Sequence, residues 1–157
     1  MEIQIENIPQ EMKELPQWVN WKWEKRDGKP TKPLYASKTG KRASHSDPLT
    51  WGPFEKAVSA YEVSDSCFDG IGFVFSPDDP FCGIDLDECR DPVSGEVTPW
   101  AARIVKDFDS YTEVSPSETG LKIFIKGRLS GGGIKTKHVE VYDTTRYFTV
   151  TGEVWQP

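Results

Sequence analysis

Three carboxylates are the residues of this sequence best suited to chemistry. Asp85 and Asp87 flank Leu86 at the end of an apolar segment, where the two-residue period of a strand places both carboxylates on one face. A divalent cation would relieve their repulsion, and Mg²⁺ is commonly held by one or two carboxylates together with substrate phosphates. Glu140, on a neighbouring strand, would complete a site that orients a hydroxyl against a phosphate. Each carboxylate taken alone also fits a solvated turn or strand.

Basic residues downstream of the aspartates offer contacts for phosphate. They are Lys122, Lys135, Lys137 and Arg146. Cations beside carboxylates on a sheet favour a nucleoside triphosphate site, and backbone N–H groups of the loop Ser115–Gly120 are expected to help hold phosphate oxygens. For Lys135 and Lys137 a simple solvated role is favoured. The sequence contains no G-x-x-x-x-G-K-[ST] run, which excludes a P-loop and the chemistry of a motor ATPase.

The composition of this chain restricts how it can bind a polyanion. Its 157 residues are about one domain in length, 36% of them hydrophobic, and its formal net charge is −6. Bulk charge therefore does not attract nucleic acid, and local basic patches or metal ions must supply any attraction. The three cysteines include no C-x-x-C pair, which argues against a disulfide framework or a zinc ribbon. With no apolar run long enough to span a membrane, we expect a cytoplasmic protein with no membrane partner.

The elements that must position these side chains follow from residue periodicity. Short period-2 segments alternate with two amphipathic patterns, which predicts an α+β fold. Strands are predicted over 18–24, 71–75, 81–87, 111–114, 121–126, 138–142 and 147–151. Asp27-Gly28 turns the first strand back, and 143–145 form the turn of a hairpin between the last two. Helices are predicted to begin near Pro53 and, after the N-cap Thr98, at Pro99.

Three motifs occur in a fixed order along the chain. They are Ile84–Asp87 (IDLD), Ser115–Phe124 (SPSETGLKIF), and Val139–Tyr142 (VEVY) followed by Arg146–Gly152 (RYFTVTG). This set closely resembles the archaeo-eukaryotic primase superfamily, specifically the primase-polymerase domains of phages, plasmids and related mobile elements. The resemblance extends from about Trp18 to Trp155. It implies a small α/β module followed by an RNA-recognition-like antiparallel sheet that carries the acidic residues.

The resemblance also implies roles for individual side chains. Asp85, Asp87 and Glu140 match the family's acidic positions, which hold Mg²⁺ or Mn²⁺ on the triphosphate of the incoming nucleotide and activate the 3′-hydroxyl. Lys122 stands where the family has a histidine that contacts the nucleotide phosphates. Lysine keeps a positive donor there, but it lacks the geometry and the titration of an imidazole. This departure bears on catalytic efficiency and on the choice between ribo- and deoxyribonucleotides.

Three further residues are expected at the nucleotide. Arg146 lies where the group commonly has an arginine before its last strand, and we expect it to contact phosphate. Ser115 and Ser117, in the second motif, are expected to bind the nucleotide as well.

The function implied is a metal-dependent DNA primase/polymerase that makes or extends primers on single-stranded DNA during replication of a mobile element. Residues 1–157 would form one catalytic domain, the N-terminal fragment of a longer primase-helicase. Two alternatives stay open. A two-metal nuclease is disfavoured because no E-x-K triplet follows Asp85. A non-catalytic module that binds nucleotide or DNA is disfavoured because all three carboxylates are present.

Overall fold

The computed structural model describes residues 2–157, which form an α+β fold. The strands are β1 Trp18–Trp21, β2 Glu24–Arg26, β3 Lys29–Thr31, β4 Leu34–Tyr35, β5 Gly70–Phe75, β6 Phe81–Leu86, β7 Thr112–Val114, β8 Leu121–Lys126, β9 Ile134–Lys135, β10 Val139–Tyr142 and β11 Arg146–Val150. The helices are α1 Gln10–Lys13, α2 Phe54–Glu62 and α3 Pro99–Phe108, with 3₁₀ turns at Ile5–Asn7 and Pro48–Thr50. The predicted fold class is confirmed.

The described chain divides into two compact units. The first contains Phe75–Thr144 with Thr151–Pro157 and the N-terminal residues up to Ile8, and the second contains Pro9–Val74 with Thr145–Val150. The first unit holds the five-stranded sheet, in the order β7-β8-β6-β10-β9. The second holds a four-stranded sheet, in the order β11-β5-β1-β4, and the hairpin β2-β3.

Helix α3 and one face of the five-stranded sheet form the core of the first unit. Ile84 and Leu86 on β6 and Ile123 on β8 are buried in a cluster with Val105 of α3. Because side chains alternate along a strand, the residues between these apolar ones lie on the opposite face of the sheet. The helix therefore fixes which face of the sheet is left for polar side chains.

Helix α3 begins where the sequence predicts. Thr98 occupies the N-cap and Pro99 the first helical position, but the Thr98 side chain makes no capping hydrogen bond. Its hydroxyl is buried without a partner. At the other end Asp109 has a left-handed backbone with φ of 45°, and its N–H donates to the Val105 carbonyl. Backbone geometry alone thus ends this helix.

The second unit packs around Trp18 of β1. Its indole is fully buried, with ring centroids 4.8 Å from Phe54 of α2 and 5.5 Å from Phe73 of β5, both edge to face. Its Nε1–H donates to the Met12 carbonyl at 3.0 Å. This strand is therefore a packed interior strand between β4 and β5.

The prediction of one continuous strand over 18–24 was wrong. Strand β1 ends at Trp21, and a separate strand starts at Glu24. Asn20 of β1 is fully buried and donates to the Ala57 carbonyl at 2.9 Å. All four residues of β1 are buried, so a polar side chain there has to find a hydrogen-bond partner inside the protein. The predicted Asp27-Gly28 turn is confirmed, with both residues at positive φ between β2 and β3.

The predicted hairpin over the last two strands was also wrong. Strand β10 pairs with β6 and β9 in the five-stranded sheet, whereas β11 lies next to β5 in the four-stranded sheet. Alternation of side chains specifies the face that a residue occupies but not the strand with which it pairs. The very short strands β3, β4 and β9 carried too little pattern to be predicted.

No helix within residues 2–157 combines the length and the apolar character that a membrane crossing needs.

Gly120, at the end of the loop between β7 and β8, is predicted to be intolerant of a side chain. A Cβ atom there would lie 2.6 Å from the Leu86 carbonyl oxygen, which belongs to the backbone and cannot swing away. We expect Gly120→Ala to lower the free energy of unfolding by about 1–3 kcal/mol.

Gly127→Ala is the matched control, because a Cβ atom at Gly127 meets nothing within 4 Å. Urea denaturation should place this control within about 0.5 kcal/mol of the wild type. Equal stability of the two variants would contradict the close approach at Gly120.

Candidate active site

The central strand β6 aligns the charged residues of the first unit. In its register Asp85 lies directly opposite Lys122 of β8 on one side and opposite Glu140 of β10 on the other. Directly opposed residues share a face of the sheet, and their Cβ atoms lie about 4.5–5.5 Å apart. Two of the three predicted carboxylates and the predicted lysine are thus neighbours on the face that α3 does not cover.

Lysines offset the repulsion between these carboxylates. Lys122 Nζ lies 2.8 Å from Asp85 Oδ1, and the two side chains are only 8% and 19% exposed. Lys135 of β9 is directly opposite Glu140, with Nζ 2.5 Å from Oε1. The hydroxyl of Tyr142 also donates to Glu140 Oε2 at 3.0 Å. Lys135, for which a solvated role was favoured, is therefore paired with a predicted site residue.

Asp87 lies one residue beyond the end of β6. Its backbone N–H donates to the His138 carbonyl at 2.9 Å, which continues the ladder between β6 and β10 by one step. This continuation puts Asp87 in phase with Asp85 on the same face, at an exposed position. The next residue, Glu88, has φ of 53° and turns the backbone away from the strand direction. The geometry leaves the Asp87 carboxylate at the open edge of the site.

The donor atoms suit a hard divalent cation. Among residues 2–157, no three Asp, Glu, His or Cys side chains are gathered as a preformed metal site. Asp85 and Glu140 are nevertheless directly opposed on neighbouring strands, and Mg²⁺ is usually held by one or two carboxylates plus substrate phosphates and water. The residues present therefore fit Mg²⁺ or Mn²⁺ that arrives with a phosphate ligand.

The loop between β7 and β8 is stabilised by its own hydrogen bonds. The Ser115 N–H donates to the Gly120 carbonyl at 2.9 Å, and the Glu118 N–H donates to the Ser115 carbonyl at 2.8 Å. The Ser115 hydroxyl accepts from the Gly120 N–H at 3.2 Å and lies 3.0 Å from the Ser117 hydroxyl. The N–H groups of Ser115, Glu118 and Gly120 are thus engaged within the loop. Of the two predicted serines, Ser117 is the more accessible.

Arg146 begins β11, in the four-stranded sheet of the second unit. Its side chain is exposed, and Nη1 donates to the Thr145 carbonyl at 3.0 Å. The residue therefore lies on a different sheet from the carboxylates, and its predicted contact with phosphate stays a prediction.

Glu113 is a charged residue at this face that the sequence analysis missed. It lies on β7 directly opposite Lys122 and has no solvent exposure. Its carboxylate accepts hydrogen bonds from the Thr151 N–H (2.9 Å), the Gly152 N–H (3.0 Å) and the Tyr111 hydroxyl (2.8 Å). Burial raises the pKa of Glu113 to about 7, although these donors and Lys122 oppose the rise. The available signal was a single Glu within the strand predicted over 111–114.

We predict that Glu113 makes the protein less stable as the pH rises. Its pKa is higher in the folded state, about 7, than the ordinary 4.5, so the folded protein binds more protons between these values. Its contribution to stability is complete below pH 4.5 and declines by about 3 kcal/mol as the pH rises to 7. Glu113→Gln cannot ionise and should lose this dependence.

Urea denaturation of wild type and Glu113→Gln at several pH values checks this prediction. As the pH rises, the wild type should lose stability relative to Glu113→Gln. The prediction would be contradicted if the difference between the two free energies of unfolding did not change with pH, or if the wild type gained stability relative to the variant.

Comparison with known proteins relates the chain to a phage enzyme. No protein-family model matches the chain. The chain is similar to the "DNA Primase-polymerase" of Nitratiruptor phage NrS-1, with 41% identity over 145 residues that cover 88% of this chain and 19% of the phage protein. The chain therefore spans about a fifth of the length of that protein. At this identity over most of its residues, the chain is a relative of a phage DNA primase-polymerase.

Proposed function

We propose that this chain is a metal-dependent nucleotidyltransferase, a DNA primase/polymerase that makes or extends primers on single-stranded DNA from nucleoside triphosphates. The observation that carries the proposal is the register that places Asp85 opposite Glu140 with Lys122 on the far side of Asp85. The similarity to a phage primase-polymerase supports the same reaction. Membership of the archaeo-eukaryotic primase superfamily is part of the proposal.

The three carboxylates share the binding of the metal in this proposal. Asp85 and Glu140 provide adjacent oxygen atoms, and Asp87 extends the donor set toward solvent. A bound Mg²⁺ or Mn²⁺ would neutralise phosphate charge and would make the primer's 3′-hydroxyl a better nucleophile. The three carboxylates would hold the metal and would thereby set the position of the triphosphate.

Lys122 and Lys135 have different roles in the proposed site because one is buried and the other is exposed. Lys135 is 71% exposed, and an ion pair of that kind contributes about 0–1 kcal/mol, so it yields readily to a cation at Glu140. Lys122 is buried beside Asp85, where removing one partner of such a pair is expensive. We infer that Lys122 stays in place and that its ammonium group is shared between Asp85 and the phosphate oxygens of the nucleotide.

Other contacts to the triphosphate are assigned by the family motif. Arg146, Ser115 and Ser117 are proposed to bind it, with Ser117 as the more accessible serine of the loop. We further propose that the chain is the catalytic domain of a longer replication protein that contains a helicase. The phage relative is about five times longer than the aligned region, which agrees with this arrangement.

Asp85→Asn is expected to abolish primer synthesis. The amide can still accept the hydrogen bond from Lys122 but cannot supply a negative charge to a metal. Incorporation should fall by more than about 100-fold, the upper end of the effect of losing a residue that only supports a metal ligand. The measurement is primer synthesis on single-stranded DNA, with ribo- and deoxyribonucleotides supplied separately, in Mg²⁺ and in Mn²⁺.

Glu140→Gln should behave in the same way, and Asp107→Asn on the exposed surface of α3 is the control with equal loss of charge. Thermal unfolding of each variant reports whether it folds. Incorporation by folded Asp85→Asn at the wild-type rate would refute the metal assignment.

Degradation of labelled single-stranded DNA in Mn²⁺ without nucleotides would indicate a nuclease instead. Metal-dependent nucleotide binding without turnover in the wild type would indicate a non-catalytic module.

Lys122→His is expected to preserve or raise incorporation, because it restores the residue that the family has at this position. Lys122→Met removes the charge at similar length and leaves Asp85 without its partner, so incorporation should fall. Rates measured for the two variants side by side separate the roles. Complete loss of activity in Lys122→His would show that lysine has a function here that imidazole cannot supply.

A further inference from the structure

One segment of the second unit has a charge opposite to that of the whole chain. Residues 22–42 contain eight of the 19 Lys and Arg residues but only two of the 25 Asp and Glu residues. The segment thus carries a formal charge of +6 in a chain of −6. It includes the hairpin β2-β3, and its basic residues are partly or fully exposed.

An aromatic ring is presented to solvent beside this charge. Trp23 is 42% exposed, and Lys32 Nζ lies 4.6 Å from its ring centroid. The ring packs edge to face against the buried Trp21, with 5.6 Å between the ring centroids. The Trp23 backbone N–H donates to Asp69 at 2.6 Å. Trp23 is therefore fixed in place before any ligand binds.

The register of the hairpin collects basic residues around the tryptophan. Lys25 opposes Pro30 across the two strands, and alternation puts Trp23, Lys25, Pro30 and Lys32 on one side of the hairpin. A cleft of about 650 Å³ runs along its edge. The cleft is lined by Glu24, Lys25, Arg26, Thr31, Lys32, Pro33 and Arg42.

The carboxylate in this cleft is already neutralised. Glu24 forms an ion pair with Arg42 and lies 3.7 Å from Lys22. It also accepts a hydrogen bond from the Tyr35 hydroxyl. Glu24 thus offsets only part of the positive charge at the cleft, and a net positive charge remains there to attract an anion.

We propose that the hairpin β2-β3 with Trp23 and the adjoining cleft binds single-stranded nucleic acid, and that this surface is where the chain holds its template. Trp23 stacks on a base, and Lys25 and Lys32 contact phosphates on either side of it. Proteins that bind single strands combine an aromatic platform with a positively charged groove in this way. The assignment of the bound strand as template rests on the proposed function, whereas the binding itself does not.

The combination of features favours nucleic acid over an acidic protein segment. Charge alone would attract either polyanion. An exposed indole with Lys32 at its ring and Lys25 further along the same side of the hairpin matches the alternation of base and phosphate in a single strand. The surface also supplies the local basic patch that a chain of net charge −6 needs in order to hold a polyanion.

Fluorescence anisotropy with a labelled oligodeoxythymidine tests the proposal in EDTA and without nucleotides, so that catalysis has no part in the signal. Trp23→Ala should weaken binding at least about fivefold, and Trp23→Phe should recover part of the affinity. The log of the affinity falls as the log of the salt concentration rises. In Lys25→Ala/Lys32→Ala this slope should be less steep by about 1.4, which is about 0.7 for each phosphate that the variant no longer binds.

The matched control is Lys56→Ala/Lys106→Ala, which removes two exposed helical lysines and the same net charge. It should bind like the wild type, and circular dichroism confirms that each variant is folded. Equal salt slopes in the two double variants would overturn the proposal, as would wild-type affinity in Trp23→Ala. Binding of poly-glutamate but not of the oligonucleotide would show that the surface takes an acidic protein.

Primer synthesis by the same variants separates this inference from the proposed function. If the wild type binds the oligonucleotide through this surface but never incorporates nucleotides, only the proposed function fails. If the wild type synthesises primers and the hairpin variants bind and synthesise like the control, only the hairpin assignment fails. A higher template concentration should restore synthesis in Lys25→Ala/Lys32→Ala if the surface holds the template.

Discussion

The pairing of β6 between β8 and β10 is the constraint on which the site in the first unit depends. It lines up five charged residues across one face of the sheet: Glu113, Lys122, Asp85, Glu140 and Lys135. Two carboxylates are direct neighbours only at Asp85 and Glu140, and a lysine follows on each side. A shift of one residue in β6 would replace Asp85 with Ile84 or Leu86 and bring apolar side chains to this face. The buried contact of Ile84 and Leu86 with α3 prevents that shift.

Burial falls steadily along this row, and the strength of each charge interaction falls with it. Glu113 is completely buried at one end, the Lys122–Asp85 pair is largely buried, and Lys135 is mostly exposed at the other end. Interactions between charges are strong in the interior and screened in water. The buried end therefore holds its geometry, while the exposed end can exchange a lysine for another cation. In the proposed function, a metal with a phosphate ligand therefore enters beside Glu140.

Most elements around the site could be predicted because their residues repeat with a clear period. The six-residue strands β6 and β8 and the helix α3 lie where the apolar runs and the helical spacing predict them. Asn20 and Glu113 were not predicted to be buried, because a polar residue in a strand normally indicates solvent. Their burial depends on partners remote in sequence, the Ala57 carbonyl for Asn20 and the N–H groups of Thr151 and Gly152 for Glu113.

The sequence alone determined the fold class, the common face of Asp85 and Asp87, and the order of the three motifs, since these follow from local alternation and residue type. The tertiary structure decided which strands pair: β10 joins β6, and β11 joins the other sheet. Only that pairing makes Glu140 a neighbour of Asp85 and Lys135 the partner of Glu140. Hydrogen bonds between strands join residues far apart in the chain, so no local pattern in the sequence encodes them.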